Sequence, residues 1–107
     1  MTPTDFSKHL TDFFLNYLPL QKNVSKNTIK AYRDTFKLLL NFCESEEKIK
    51  PEKLSMHHLS ADLIERFLIW LETERNCSVS TRNLRLAALH AFFRYAQSES
   101  PESLFHY

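Results

Sequence analysis

Residues 78–96 read SVSTRNLRLAALHAFFRYA. From Leu84 onward Leu86, Leu89, Phe92, Phe93 and Tyr95 cover most azimuths of a helix, so the body of this segment is expected to be enclosed by other helices. Its first turn is different. Ser80, Thr81, Arg82, Asn83 and Arg85 make a polar, cationic tip, and Thr81, Arg82 and Arg85 share an arc of about 100°. The spacing predicts a helix over about 81–97 capped by Ser80, with Leu84 to Ala96 as a central packing element and a tip that faces a polar partner.

Working outward, the same periodicity recurs three times. Phe6, Leu10, Phe13, Phe14 and Tyr17 predict a helix over about 5–18, which Pro19 ends. Ile29, Tyr32, Phe36, Leu39, Leu40 and Cys43 predict a second helix over about 25–45, with Ser25 or Asn27 as its cap. Glu44, Glu46 and Glu47 lie near its C-terminus, where negative charge is unfavourable and fraying is expected. Leu63, Ile64, Phe67, Trp70 and Leu71 form the stripe of a third helix over about 61–74, capped by Ser60. The connector SEEKIKPEKLSMHH offers Ile49, Leu54 and Leu59 as apolar tacks. No segment alternates as a strand does.

Composition supports an all-α fold. The 107 residues are 43% hydrophobic and 13% aromatic, enough for one compact domain with a core. The chain has no glycine, which disfavours tight hairpins and excludes P-loops and dinucleotide fingerprints. Its two cysteines, Cys43 and Cys77, form no CxxC pair and read as reduced thiols. No apolar run approaches a membrane span and the N-terminus lacks a secretion signal. A soluble, cytoplasmic protein is expected.

The net charge is only +1, but it is unevenly distributed. Residues 20–42 carry five bases against one acid, residues 78–97 three arginines and no acid, and residues 43–77 eight acids against five bases. On the second helix Lys30, Arg33 and Lys37 each lie within about 40° of Lys26, a basic ridge a quarter turn from the apolar stripe. Phosphates spaced along a groove call for cations at such intervals, and Ser25, Asn27 and Thr28 add neutral donors at a helix N-terminus. An ordinary solvated helix face would carry lysines too. Enzyme chemistry finds little support: His57 and His58 are adjacent and should point apart, His9, His90 and His106 are scattered, and no metal-ligand spacing exists. No cofactor is expected.

Two stretches carry a resemblance. VSKNTIKAYRDTFKLLLNFC, through Ser25, Thr28, Tyr32, Phe36, Leu39 and Leu40, resembles the second helix of the core-binding domain of the tyrosine recombinase (phage integrase) family. SVSTRNLRLAALHAFFRYA, through Thr81, Asn83, Leu86, Leu89, Phe92, Phe93, Tyr95 and Ala96, is similar to that domain's last helix. LSADLIERFLIWLETE looks like the helix between them. The resemblance implies a SAM-like orthogonal bundle of four to five helices over residues 1–100, with residues 101–107 starting a linker to a C-terminal catalytic domain. It further implies contact with double-stranded DNA at a recombination half-site, through Lys26, Thr28, Lys30 and Arg33 on one helix and Thr81, Arg82 and Arg85 on the other. Further recombinase protomers on DNA are the other implied partners. The family's catalytic arginines and nucleophilic tyrosine have no counterpart here, so the chain is expected to bind DNA without cleaving it. A helical protein–protein interaction module is the alternative. The surface tells them apart: DNA binding requires the ridge and the tip to present their cations together, whereas acidic neighbours that neutralise them favour the interaction module.

Overall fold

A computed structural model describes residues 3–99. The stretch 101–107, expected to begin a linker, lies outside the described residues. The described chain holds four α-helices and no strand: α1 (Asp5–Asp12), α2 (Lys26–Glu46), α3 (Ala61–Glu74) and α4 (Val79–Glu99). It divides into two compact units, one through Ser55 and one from Met56.

In the first unit, α1 starts where the Thr4 side chain accepts the Ser7 amide. The periodic segment expected to run on to Leu18 changes character at Phe13. A π-helical turn spans Phe13–Tyr17, closed by the Leu18 amide on the Phe13 carbonyl, and a 3-10 turn spans Leu18–Leu20. A π turn fits one extra residue into the helix, and here it lets the successive rings of Phe13 and Phe14 both reach Phe36, at 6.4 and 5.8 Å. Phe13 is fully buried, a burial that contributes about 1.5–3 kcal/mol. α2 buries Phe36, Leu39, Phe42 and Cys43 together with Thr35, whose hydroxyl donates to the Ala31 carbonyl at 3.0 Å.

α2 does not fray at its acidic end. Lys48 takes the left-handed backbone (φ 59°) that a glycine would favour, and the Ile49 amide then donates to the Cys43 carbonyl at 3.0 Å. The Lys48 ammonium donates to the Ser45 carbonyl at 2.8 Å, setting a cation at the negative end of the helix dipole. Asn76, at φ 51°, ends α3 in the same manner, with the Cys77 amide donating to the Leu71 carbonyl. A chain without glycine thus ends α2 and α3 with a lysine and an asparagine in the left-handed region, the latter among the side chains most tolerant of that backbone.

In the second unit, the Ser60 side chain accepts the Leu63 amide at the start of α3, and Leu63, Ile64, Phe67 and Leu71 form its buried stripe. Trp70 is only half-buried: it stacks on Phe67 at 6.2 Å, and the Arg75 guanidinium lies 5.8 Å from its ring. The connector holds one 3-10 turn in each unit, Pro51–Lys53 in the first and Met56–His58 in the second. Leu54 and Leu59 are buried tacks as expected, Ile49 is half-buried, and Met56 is a further buried one. α3 and α4 pack together.

α4 corrects two expectations. It begins at Val79, two residues early, because Ser78 and not Ser80 is the cap: its hydroxyl accepts the Thr81 amide at 3.1 Å, and the Arg82 amide donates to its carbonyl. Packing also starts later than Leu84, which is 45% exposed. Burial begins at Ala88 and continues through Leu89, Phe92, Phe93, Tyr95 and Ala96.

Candidate nucleic-acid interface

The caps of α2 and α4 share one chemistry. At α2 the Ser25 hydroxyl accepts the Thr28 amide (3.1 Å) and lies 3.0 Å from the Thr28 hydroxyl. At α4 the Ser78 hydroxyl accepts the Thr81 amide (3.1 Å) and donates to the Thr81 hydroxyl at 3.1 Å. Each Ser-x-x-Thr pair satisfies one amide that would otherwise lack a partner in the first turn. Thr28 and Thr81, both expected at a DNA surface, are half-buried and serve first as closures of these caps.

Beyond the cap, α2 exposes Lys26, Lys30, Arg33 and Lys37. Together with Ile29 and Asp34 they line a hollow of about 390 Å³. Four cations therefore surround one depression, with Asp34 as the lone carboxylate on its wall. From Lys26 to Lys37 the ridge spans about 16 Å at the α-helical rise. The Arg33 guanidinium lies over the Phe14 ring, 5.6 Å from its centroid.

The tip of α4 is organised otherwise. Arg82 is half-buried and donates to Glu72 of α3 at 2.9 Å, with a longer contact to Asn83 at 3.4 Å. Arg85 is half-buried as well. On a helical wheel Thr81, Arg82 and Arg85 stand directly above the buried arc of Ala88, Leu89, Phe92, Phe93 and Ala96, which explains their burial. About 180° around the helix the exposed arc is Val79, Ser80, Asn83, Leu84 and Ala87. Anchoring the wheel on Ala88, Leu89 and Phe92 would have found this outward face; counting charges alone missed it. From Ser78 to Ser98 the helix carries no acid.

Among the described residues no cluster of His, Cys, Asp or Glu is placed to hold a metal ion. His57 and His58, expected to point apart, lie on the 3-10 turn Met56–His58 with ring centroids 4.1 Å apart. Burial, and then the Glu47 carboxylate, push the Cys43 thiol up to about 12, so it stays protonated at neutral pH and is a poor nucleophile. Among the described residues no helix is long and apolar enough to cross a membrane.

Among the described residues there are four α-helices, three of them opened by a Ser cap, and no strand, in keeping with an all-α SAM-like domain. Residues 11–100 match the phage integrase N-terminal SAM-like domain, and the chain belongs to that family. It is 47% identical over 93 residues to a Sinorhizobium fredii protein named "Putative integrase/recombinase y4rC", covering 87% of this chain and 28% of that protein. It is 32% identical over 99 residues to the tyrosine recombinase XerC of Thermodesulfovibrio yellowstonii, covering 92% of this chain and 29% of that one. The XerC of Herpetosiphon aurantiacus is 33% identical over 86 residues, which cover 80% of this chain and 26% of that protein. The chain thus spans between a quarter and a third of these relatives. No solved structure matches.

Proposed function

We propose that this chain is a DNA-binding module of a site-specific tyrosine recombinase and holds duplex DNA through the basic ridge of α2. One observation carries the proposal: Lys26, Lys30, Arg33 and Lys37 surround a single exposed hollow. Their ammonium and guanidinium groups neutralise phosphates, while the Ser25 cap leaves the positive end of α2 beside them. On α4 the uncharged, outward Ser80 and Asn83 are the groups able to meet base edges, Asn being suited to the N6/N7 edge of adenine. Arg82 and Arg85 add positive charge at the start of α4, and Thr28 and Thr81 hold their own helix starts in shape. DNA breakage and rejoining belongs to the parent recombinase and not to this part of it.

Anisotropy titrations of the 107-residue chain against a labelled random duplex test the proposal. Binding is expected at low salt, with log K falling against log salt at a slope of about −3 to −4 for three to four neutralised phosphates. No binding at low salt, or binding indifferent to salt, overturns it. The competing interaction-module reading draws on the Glu72–Arg82 pair, a carboxylate neutralising one of the expected contacts. It requires that the ridge variants described below leave DNA behaviour unchanged.

A further inference from the structure

We propose that Phe14 is a positioning residue that holds the Arg33 guanidinium ready for a phosphate; the inference rests on the proposed role of the α2 ridge. Phe13 and Phe14 are consecutive, yet one is fully buried and the other half-buried. The π turn over Phe13–Tyr17 makes this possible. It sends Phe13 inward, stacked on Tyr17 at 5.8 Å, and seats Phe14 edge-on against Phe13 (5.2 Å) and Phe36 (5.8 Å). The Phe14 ring is therefore fixed by two other rings, and the Arg33 guanidinium lies over it at 5.6 Å.

A guanidinium on an aromatic face is attracted by the ring quadrupole while its N–H donors, which lie in its own plane, stay directed outward. Arg33 thus keeps the bidentate edge that suits a phosphate and loses less side-chain freedom on binding it. Lys26, Lys30 and Lys37 line the same hollow but are flexible point charges. Arg33 is the ridge member whose direction the fold sets. An arginine stem also covers apolar surface for packing alone, and the test must separate the two roles.

A double-mutant cycle does so, read as DNA affinity of the 107-residue chain at low salt. Phe14→Leu keeps apolar volume and removes the ring; it is expected to weaken binding about two- to fivefold, while Phe14→Tyr, which keeps the ring, binds as wild type. In an Arg33→Gln background Phe14→Leu should have no further effect. Equal weakening in both backgrounds, or none in the wild type, overturns the proposal. Should Phe14→Leu fail to fold, proton chemical shifts of the wild-type Arg33 side chain decide: upfield ring-current shifts support it and random-coil values overturn it. A wild-type chain that does not bind DNA at low salt contradicts the DNA reading itself; a binding wild type with a neutral Phe14→Leu contradicts only the positioning role.

Discussion

α2 and α4 begin alike and then diverge. Both open with a serine three residues before a threonine, joined by the same pair of hydrogen bonds. Past that cap, α2 sends its cations to solvent around one hollow, whereas α4 stands Arg82 and Arg85 above its buried stripe and ties Arg82 to Glu72. The difference is one of phase. Basic residues a quarter turn from an apolar stripe stay in water, and basic residues in line with it are drawn against the neighbouring helix. A count of charge per segment sees two similar basic stretches; their azimuth against the core separates an exposed ridge from a half-buried tip.

The largest effect that would break this comparison lies on the ridge. Lys30→Ala combined with Arg33→Ala is expected to weaken duplex binding at least about tenfold at low salt and to make the salt slope shallower by about two. Circular dichroism should remain that of the folded chain, since both residues are exposed. Unfolding of that variant would make the ridge structural and erase the contrast with α4.

The tip should respond in the opposite sense when its acid is removed. Glu72→Gln deprives Arg82 of its carboxylate and is expected to tighten DNA binding about two- to threefold, with a steeper salt dependence. Weaker binding in this variant would mean that Glu72 aims Arg82 at the DNA instead of withholding it. Arg82→Ala should cost less than about 1 kcal/mol in a urea melt, because the pair is more than a third exposed and screened by solvent.

A smaller prediction concerns Cys43 within α2. Its thiol titrates near 9 when unfolded and near 12 when folded. Between those values the unfolded chain sheds a proton that the folded chain keeps, so stability should fall as pH rises above about 9, and Cys43→Ala should remove that part of the loss. At neutral pH a thiol reagent should modify half-exposed Cys77 and spare Cys43 until the chain unfolds.

Much of the fold is legible in the sequence. α3 falls on the residues its stripe and Ser60 indicate, and α2 within a residue of them, because in both a strong cap coincides with a clean 3.6-residue period. The π turn at Phe13 was not legible. Phe13, Phe14 and Tyr17 suit a regular helix equally well, and only the packing of both phenylalanines on Phe36 selects the wider turn. At the end of α2 local charge argues for fraying, but the Lys48 ammonium on the Ser45 carbonyl supplies the missing cation. The start of α4 was misplaced because Ser78 and Ser80 are both acceptable caps; the hydroxyl of Thr81, three residues after Ser78, decides between them. As for the interface, the ridge was legible as a wheel on one helix. The partner of the tip was not, since the carboxylate that holds Arg82 comes from Glu72 of another helix.

The contrast between ridge and tip is tested most directly by the salt dependence of duplex binding in two variants side by side. In one, Lys26, Lys30, Arg33 and Lys37 are all replaced by alanine; in the other, Arg82 alone is. The ridge variant should lose most of a wild-type slope of about −3 to −4, while Arg82→Ala should shift it by less than about one. An unchanged slope in the ridge variant, with a large loss in Arg82→Ala, would contradict the account and place the phosphate contacts on α4.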